Sequence, residues 1–298
     1  MNSKGRRRTG YLFLIPSIFI IVVFIAYPVL NTAYTSFLSL RIQTIRLGGK
    51  FVGLKNYIDL FQDPLFIQAL KFTCLFTVVA VVLETVLGMV CALIMNRKFK
   101  GQSFVRAAIL IPWAIPTIVS GLMWQFMFAE SYGIINQLLQ SWGVISEPIK
   151  WVTGAKYAFW SVIISDVWKT SPYMSLLLLS GLQTISKELY EAAAIDGAGA
   201  IKRFWYITIP MLKPVLMVSL LFRTIQSFRI YDLVSVLTSG GPANSTQSLT
   251  LFTVKNYFQF GNLGYGAAAA MVTFVISMVI AMFFADGIKS KMEVPKKK

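Results

Sequence analysis

The chain has 298 residues, of which 56% are hydrophobic and only 13% are charged, and it carries a formal net charge of +16. About a quarter of the residues in a soluble domain are charged, so this composition favours a membrane protein. The sequence contains no histidine, which excludes His-based acid/base catalysis and His-containing metal sites. Its two cysteines, Cys74 and Cys91, lie in apolar sequence and cannot build a disulfide framework or a zinc cluster.

Six stretches are long and apolar enough for a membrane-spanning helix, which needs about 20 apolar residues. The predicted spans are 11–37, 70–95, 107–128, 158–182, 214–237 and 267–285. The first follows three arginines, as a signal peptide would, but its apolar run is too long for one, so we expect it to be retained. The sequence therefore predicts an all-α integral membrane protein with a single transmembrane domain over residues 1–298.

The positive charges indicate how the spans are oriented. Seventeen Lys and Arg residues flank the spans on the side that carries both termini, against eight on the opposite side. Because Lys and Arg concentrate in cytoplasmic loops, both termini are predicted to be cytoplasmic. The net charge follows mainly from this topology, so a nucleic-acid partner is not expected.

Prolines lie inside several spans, among them Pro112 and Pro116 in the third and Pro172 in the fourth. Each removes a backbone donor and can bend its helix. Two interpretations stay open, a packing adjustment and a broken helix that lines a pathway.

The loop between spans four and five, residues 186–213, has the most specific pattern in the chain. Ser186 is a predicted N-cap for a short helix, and Glu188 lies in the first turn, where a negative charge suits the helix dipole. Gly197 and Gly199 are expected to end this helix, and an amphipathic aromatic segment follows. Together these features predict a rigid, protruding helical loop that fits into a groove on a partner protein.

This loop resembles the EAA loop of ABC importer permeases. The matching residues are Glu191-Ala192-Ala193, Gly197, Ile207 and Ile209-Pro210, with Ile209 where leucine is usual. The Gly240-Gly241-Pro242 segment, with the strings at 110–116 and 132–136, is similar to carbohydrate permeases of the maltose-transporter larger-permease type. The likeness covers essentially the whole chain and implies the type I ABC importer permease fold with six transmembrane helices.

The resemblance implies a division of labour among subunits. The sequence has no Gly-x-x-x-x-Gly-Lys-Ser/Thr phosphate loop, so a separate cytoplasmic ABC ATPase dimer would hold ATP and Mg²⁺. This chain would bind no cofactor or metal, catalyse nothing, and form half of an alternating-access pathway for a carbohydrate, with an oligosaccharide favoured. The implied partners are a second homologous permease, an extracytoplasmic solute-binding protein and the lipid bilayer of a bacterial-type cytoplasmic (inner) membrane.

In that family the loop is the coupling helix, whose glutamate interacts with a basic residue of the ATPase. The residues that match the coupling motif here are Glu191, Ala192, Ala193, Asp196, Gly197, Ile207 and Pro210. The alternative for Glu191 is an ordinary solvated charge on a helix face.

Polar residues inside spans four and five are the candidates for substrate binding, because such residues are costly in a membrane and face a bundle interior or cavity. By position relative to the maltose-type permeases, the candidates are Asp166, Lys169, Thr170, Tyr173, Gln226, Ser227, Ile230 and Asp232. Aromatic faces that would cover sugar rings are offered by Trp124, Trp168, Tyr173, Phe228 and Tyr231.

A structural alternative is that the intramembrane charges only neutralise one another. Asp166 and Lys169 are three residues apart on one predicted helix face, and so are Arg229 and Asp232. Arg223 is a further cation in span five.

Other functions stay open at this point. An ion-coupled secondary transporter would use intramembrane Asp and Lys as ion sites, yet it has no need of an EAA loop. An uncoupler would stop such transport, whereas ATP depletion would stop an ABC importer. An ABC permease for an anionic sugar or a phosphorylated polyol would use an unpaired cationic lining. A membrane-embedded enzyme is the third alternative, and the lack of histidine and of a nucleophile elbow in the sequence argues against it.

Overall fold

The computed structural model of the protein describes residues 13–292, with side chains for residues 13–285. The basic residues predicted to mark the cytoplasmic ends, at 4–8 and 289–298, lie outside the described side chains. The chain divides into two compact units. The first contains the described residues up to Phe66 together with Phe252–Phe274, and the second contains Ile67–Leu251 and the described residues from Val275.

The first unit holds a long helix, a short hairpin and a second helix near its start. These elements are α1 (Phe13–Ser36), the antiparallel strands β1 (Leu38–Ser39) and β2 (Lys50–Phe51), and α2 (Lys55–Gln62). The side-chain amide of Asn56 donates to the carbonyls of Ser36 and Leu38, at 2.8 and 2.9 Å. The start of α2 therefore holds the end of α1 against the first strand.

The other described elements are helices, apart from a 3₁₀ turn at Ile42–Leu47. They are α3 (Pro64–Asn96), α4 (Gln102–Ala114), α5 (Thr117–Met127), α6 (Ile134–Ser141), α7 (Ala155–Leu182), α8 (Lys187–Ile195), α9 (Ala200–Arg203), α10 (Ile209–Phe228), α11 (Asp232–Leu237), α12 (Leu249–Val254) and α13 (Leu263–Met292). A π-helical turn, Phe204–Thr208, joins α9 to α10, and another, Lys255–Gln259, follows α12.

Four helical segments of the described chain are long and apolar enough to cross a membrane. They are Phe13–Ser36, Pro64–Asn96, Ala200–Leu237 and Leu263–Ala285, and α4 with α5 qualifies as a fifth when the bent pair counts as one span. The predicted fourth span corresponds to α7, which has 28 residues but is not among these segments. Polar residues such as Asp166 and Lys169 lower its hydropathy, and much of the helix is buried among protein atoms.

The predicted third span is not a continuous helix. Its two parts, α4 and α5, meet at 93° with Ile115 and Pro116 between them. Ile115 is extended, as the residue before a proline prefers to be, and Pro116 has no backbone N–H to continue the ladder of α4. The helix is thus broken at Pro116, whereas Pro172 lies inside the unbroken α7.

Helices α3 and α7 pack unusually closely at Gly88. A Cβ atom at this position would lie 2.8 Å from Cγ of Met174 and 3.2 Å from the backbone nitrogen of Ser175. Small residues permit such close approach between membrane helices, where van der Waals contact drives association. The glycine therefore sets the separation of two of the three helices that carry the polar residues described below.

We expect Gly88→Val to lower the melting temperature of the purified protein in detergent, because overpacking of this kind costs about 1–3 kcal/mol. Gly199→Val is the matched control, since a Cβ at Gly199 meets no atom within 4 Å. Equal melting temperatures for the two variants, measured by differential scanning fluorimetry, would contradict the close packing of α3 on α7.

Candidate coupling loop and substrate site

The predicted coupling helix is α8, and its first turn is capped as the sequence indicates. The Ser186 side chain accepts a hydrogen bond from the backbone N–H of Glu188 at 3.2 Å, and Glu188 lies in the first turn. The cap satisfies one of the backbone donors that a helix leaves unpaired at its start. The beginning of the loop is thus fixed by local interactions alone.

The end of α8 is fixed by a glycine turn. Gly197 adopts a left-handed conformation, with φ at +78°. The N–H of Ala198 donates to the Ala193 carbonyl at 2.8 Å, and the N–H of Gly197 donates to the Ala194 carbonyl at 3.1 Å. These two bonds form a Schellman motif, which favours glycine because other residues are strained at positive φ.

A side-chain contact ties α8 to the base of α10. The hydroxyls of Tyr190 and Thr208 lie 2.9 Å apart and share a hydrogen bond. Ile207, a predicted coupling residue, packs with its neighbours against the apolar cluster around Met174 and Leu212. Direct contacts therefore link α8 to the start of α10.

The tip of the loop is exposed to solvent in this chain. Of the predicted coupling residues, Glu191, Ala192, Asp196, Gly197 and Pro210 are exposed and Ala193 is partly buried. The neighbouring Ile195 and Ile201 are 87% and 77% exposed. A charged residue flanked by small and apolar exposed residues is the composition of a surface that a protein partner covers.

A buried ion pair lies at the centre of the second unit. Arg223 of α10 donates through Nε and Nη2 to the two carboxylate oxygens of Glu84 in α3, both at 2.6 Å. Glu84 is fully buried and Arg223 is 4% exposed. Two parallel, charge-assisted hydrogen bonds of this length form the strongest and most directional pairing available to an arginine.

Four of the predicted substrate residues are bonded to this ion pair. Thr170 donates to Glu84 at 2.7 Å, and Arg223 contacts Gln226 Oε1 at 3.0 Å and Ser227 Oγ at 2.9 Å. Arg223 Nη2 also lies 3.4 Å from Asp166 Oδ2. We call Glu84, Arg223, Asp166, Thr170, Gln226 and Ser227 the polar cluster; it joins α3, α7 and α10.

Neither of the two pairings that sequence spacing left open as an alternative is a direct ion pair among the described residues. Among the described residues Lys169 has no carboxylate oxygen within 4.0 Å, and Asp166 pairs instead with Arg223. Arg229 and Asp232 also form no such pair, because α10 ends at Phe228 and α11 begins at Asp232, so the two residues do not share a helix face.

The remaining predicted substrate residues lie in different surroundings. The ring of Tyr173 stacks on that of Trp113, with centroids 5.7 Å apart. Ile230 is buried in the apolar cluster that also contains Trp124 and Phe72, and Asp232 is exposed at the start of α11. The structure does not bring these three residues into the polar cluster.

Glu84, which lies at the centre of the cluster, is not among the substrate residues predicted from the sequence. A carboxylate within the apolar run of α3 was the available signal, because an ionisable residue inside a span is costly unless it is paired. Its partner Arg223 is 139 positions away, and helical spacing reveals no pairing over such a distance.

The charges in and beside the cluster balance. Glu84 and Asp166 supply two negative charges when ionised, and Arg223 and Lys169 supply two positive charges. Each charge costs several kcal/mol to bury unless it is compensated, so a balanced set is the stable arrangement. Counted together with Lys169, the cluster therefore carries no net charge when both carboxylates are ionised.

Comparison with known proteins identifies the family. Residues 84–294 match the family of binding-protein-dependent transport system inner membrane components. The chain belongs to this family. The resemblance inferred from the EAA loop is thereby confirmed, and the multi-pass permease is a transport component.

Two relatives match this permease over almost its full length. It is 43% identical to the trehalose/maltose transport system permease protein of Thermococcus litoralis, over 95% of this chain and 96% of the relative. It is 39% identical to the sulfoquinovosyl glycerol transport system permease protein of Agrobacterium fabrum, over 96% of this chain and 92% of the relative.

The fold of the permease matches a solved transporter. A chain from the crystal structure of a bacterial ABC transporter involved in the import of the acidic polysaccharide alginate superposes with a TM-score of 0.84 at 21% identity. The match covers 97% of this chain and 98% of that chain. The permease therefore has the fold of an ABC importer subunit.

We expect Arg223→Met to destabilise the permease by about 3–5 kcal/mol, because it leaves the buried Glu84 carboxylate without its counter-ion. Glu130→Gln is the control: it removes the exposed pair of Glu130 with Lys150, 3.7 Å apart, and exposed pairs contribute at most about 1 kcal/mol. The measurement is the thermal unfolding midpoint in detergent. A midpoint for Arg223→Met as high as that of the control would show that the ion pair does not hold the helices together.

Proposed function

We propose that the permease is a transmembrane subunit of an ATP-driven ABC importer for a neutral oligosaccharide. The observation that carries this proposal is the 43% identity, over 95% of the chain, to a trehalose/maltose permease. The proposed topology has six spans, with α4 and α5 as one broken span and α7 as a buried one. Both termini would lie in the cytoplasm and the protein in a bacterial-type inner membrane, as the distribution of Lys and Arg favours.

The charge balance of the polar cluster together with Lys169 favours a neutral substrate. Sugars offer hydroxyl groups and apolar ring faces, which match neutral hydrogen-bonding side chains and aromatic rings. Gln226 is exposed within this chain, and Tyr173 is partly buried with its ring stacked on Trp113. We propose these two residues as substrate contacts, and keep the other residues predicted from the sequence, Asp166, Lys169, Thr170, Ser227, Ile230 and Asp232, as further candidates. Trehalose and maltose are the first sugars to test.

The chain is proposed to act with partners that carry out the chemistry. A cytoplasmic ATPase dimer, which would bind ATP and Mg²⁺, is expected to receive the tip of α8, where Glu191 and its small neighbours are exposed. A second homologous permease would complete the pathway, and an extracytoplasmic binding protein would deliver the sugar. A related alginate transporter is known in complex with an alginate pentasaccharide-bound periplasmic protein, which supports the last of these partners.

Alternating access would use the contacts already described. Closure of the ATPase dimer would displace α8, and the Tyr190–Thr208 bond and the packing of Ile207 would pass this displacement to α10. Helix α10 begins beside the coupling loop and carries Arg223, Gln226 and Ser227 near its other end. Twenty residues of α-helix span about 30 Å, the thickness of the hydrocarbon core.

We expect Glu191→Lys to abolish recovery of the ATPase when the tagged permease is purified from native membranes in mild detergent. The charge reversal would repel the basic residue expected on the ATPase, whereas the second permease should still be recovered. Glu188→Lys is the matched control, an equal charge change on an exposed residue of the same helix. Identification is by mass spectrometry. Recovery of the wild-type chain alone, with intact folding, would instead favour an independent transporter.

An anionic sugar is the second candidate, because the relative from Agrobacterium fabrum is named for sulfoquinovosyl glycerol and Lys169 is a buried cation. We expect reconstituted wild-type transporter to import radiolabelled trehalose and not sulfoquinovosyl glycerol, and Lys169→Met to retain trehalose uptake. Lys150→Met, at an exposed site, is the control. Uptake of the anionic sugar by wild type, and its loss in Lys169→Met alone, would reverse this assignment.

A further inference from the structure

The orientation of the Gln226 amide is determined by Arg223. Arg223 Nη1 lies 3.0 Å from Gln226 Oε1. A guanidinium group has only donors, so the amide oxygen must face it and the amide nitrogen must point elsewhere. Gln226 Nε2 has no hydrogen-bond partner among the described residues, and the side chain is exposed. The residue is thus held as a free hydrogen-bond donor.

Arg223 is itself held by Glu84. The carboxylate engages Nε and Nη2, which fixes the plane of the guanidinium group and leaves Nη1 directed at Gln226. Thr170 donates to the same carboxylate at 2.7 Å and so limits its rotation. Ser227 accepts from Nη2 at 2.9 Å, which adds a second contact from α10 itself. The orientation of Gln226 therefore depends on a side chain of α3 that does not contact it.

We infer that Glu84 is a positioning residue for substrate selection. Through Arg223 it presents the Gln226 amide as a donor, which selects ligands that offer an oxygen lone pair at that point, such as a sugar hydroxyl or glycosidic oxygen. Without Glu84, the Arg223 side chain can rotate and no longer holds the Gln226 amide in one orientation. A ligand must then order this amide when it binds, which weakens binding. This inference rests on the proposed sugar-import function and assigns Glu84 and Arg223 a role beyond holding helices together.

The inference is tested by a double-mutant cycle of Glu84→Gln with Gln226→Leu. The probe is radiolabelled trehalose, with maltose in parallel, and the measurement is equilibrium binding to the purified transporter in nanodiscs without the binding protein. Loss of folded protein lowers the number of sites, whereas loss of positioning raises Kd. Each single variant should raise Kd about fivefold, the value of one hydrogen bond. The double variant should bind no more weakly than Gln226→Leu, because Glu84 acts through Gln226.

Arg223→Lys separates positioning from stability. A lysine retains the positive charge beside Glu84 but has no planar fork to reach both Glu84 and Gln226. It should therefore raise Kd as Glu84→Gln does while the number of binding sites stays near that of wild type. Glu130→Gln, an equal change at an exposed carboxylate, should leave Kd unchanged.

If Glu84→Gln and Arg223→Lys reduce only the number of sites and leave Kd unchanged, the pair is purely structural and the inference is wrong. If the effects of Glu84→Gln and Gln226→Leu on Kd are additive, Glu84 does not act through Gln226 and the inference is wrong as well. If the wild type binds neither sugar, the proposed substrates fail, and this failure is visible before any variant is compared.

Discussion

The bidentate pairing of Glu84 with Arg223 is the constraint on which the interior of the second unit depends. Neither charge is tolerable alone in an apolar bundle, and together they fix the relative positions of α3 and α10 to within a hydrogen bond. Thr170 and Asp166 bring α7 to the same point. Gly88 permits α7 to approach α3 closely enough for these contacts. Ionic pairing specifies which helices meet, and the small residue specifies how near they come.

The coupling loop and the polar cluster are connected by one helix. Helix α10 starts where Thr208 contacts α8 and ends at the residues around Arg223. One end therefore contacts the coupling loop and the other carries part of the polar cluster. A helix is a stiff element, and movement at its base is carried along its axis rather than absorbed. In the proposed mechanism, α10 would link the surface that contacts the ATPase to the residues proposed to bind sugar.

Local features of this structure were predictable from the sequence, and distant pairings were not. Ser186 and Gly197 work through neighbours within a few positions, so their roles could be deduced from spacing and are found as expected. The partners of Asp166 could not be deduced, because spacing suggested Lys169 whereas the fold supplies Arg223 from another helix. The break between α4 and α5 was indicated by Pro116, yet its 93° angle depends on tertiary packing. The helix predicted as the fourth span is present as α7, but its buried polar residues keep it from being recognised as a span by hydropathy.

The polarity of α7 has a consequence for how the protein is made. On insertion scales a single Asp or Lys at the centre of a helix costs about 2.5–3.5 kcal/mol, and α7 carries both Asp166 and Lys169. Such a segment gains little by entering lipid alone, but it gains its hydrogen bonds once α3 offers Glu84 and α10 offers Arg223. We therefore expect stable insertion of α7 to depend on α3, which is synthesised before it, and on α10, which is synthesised after it.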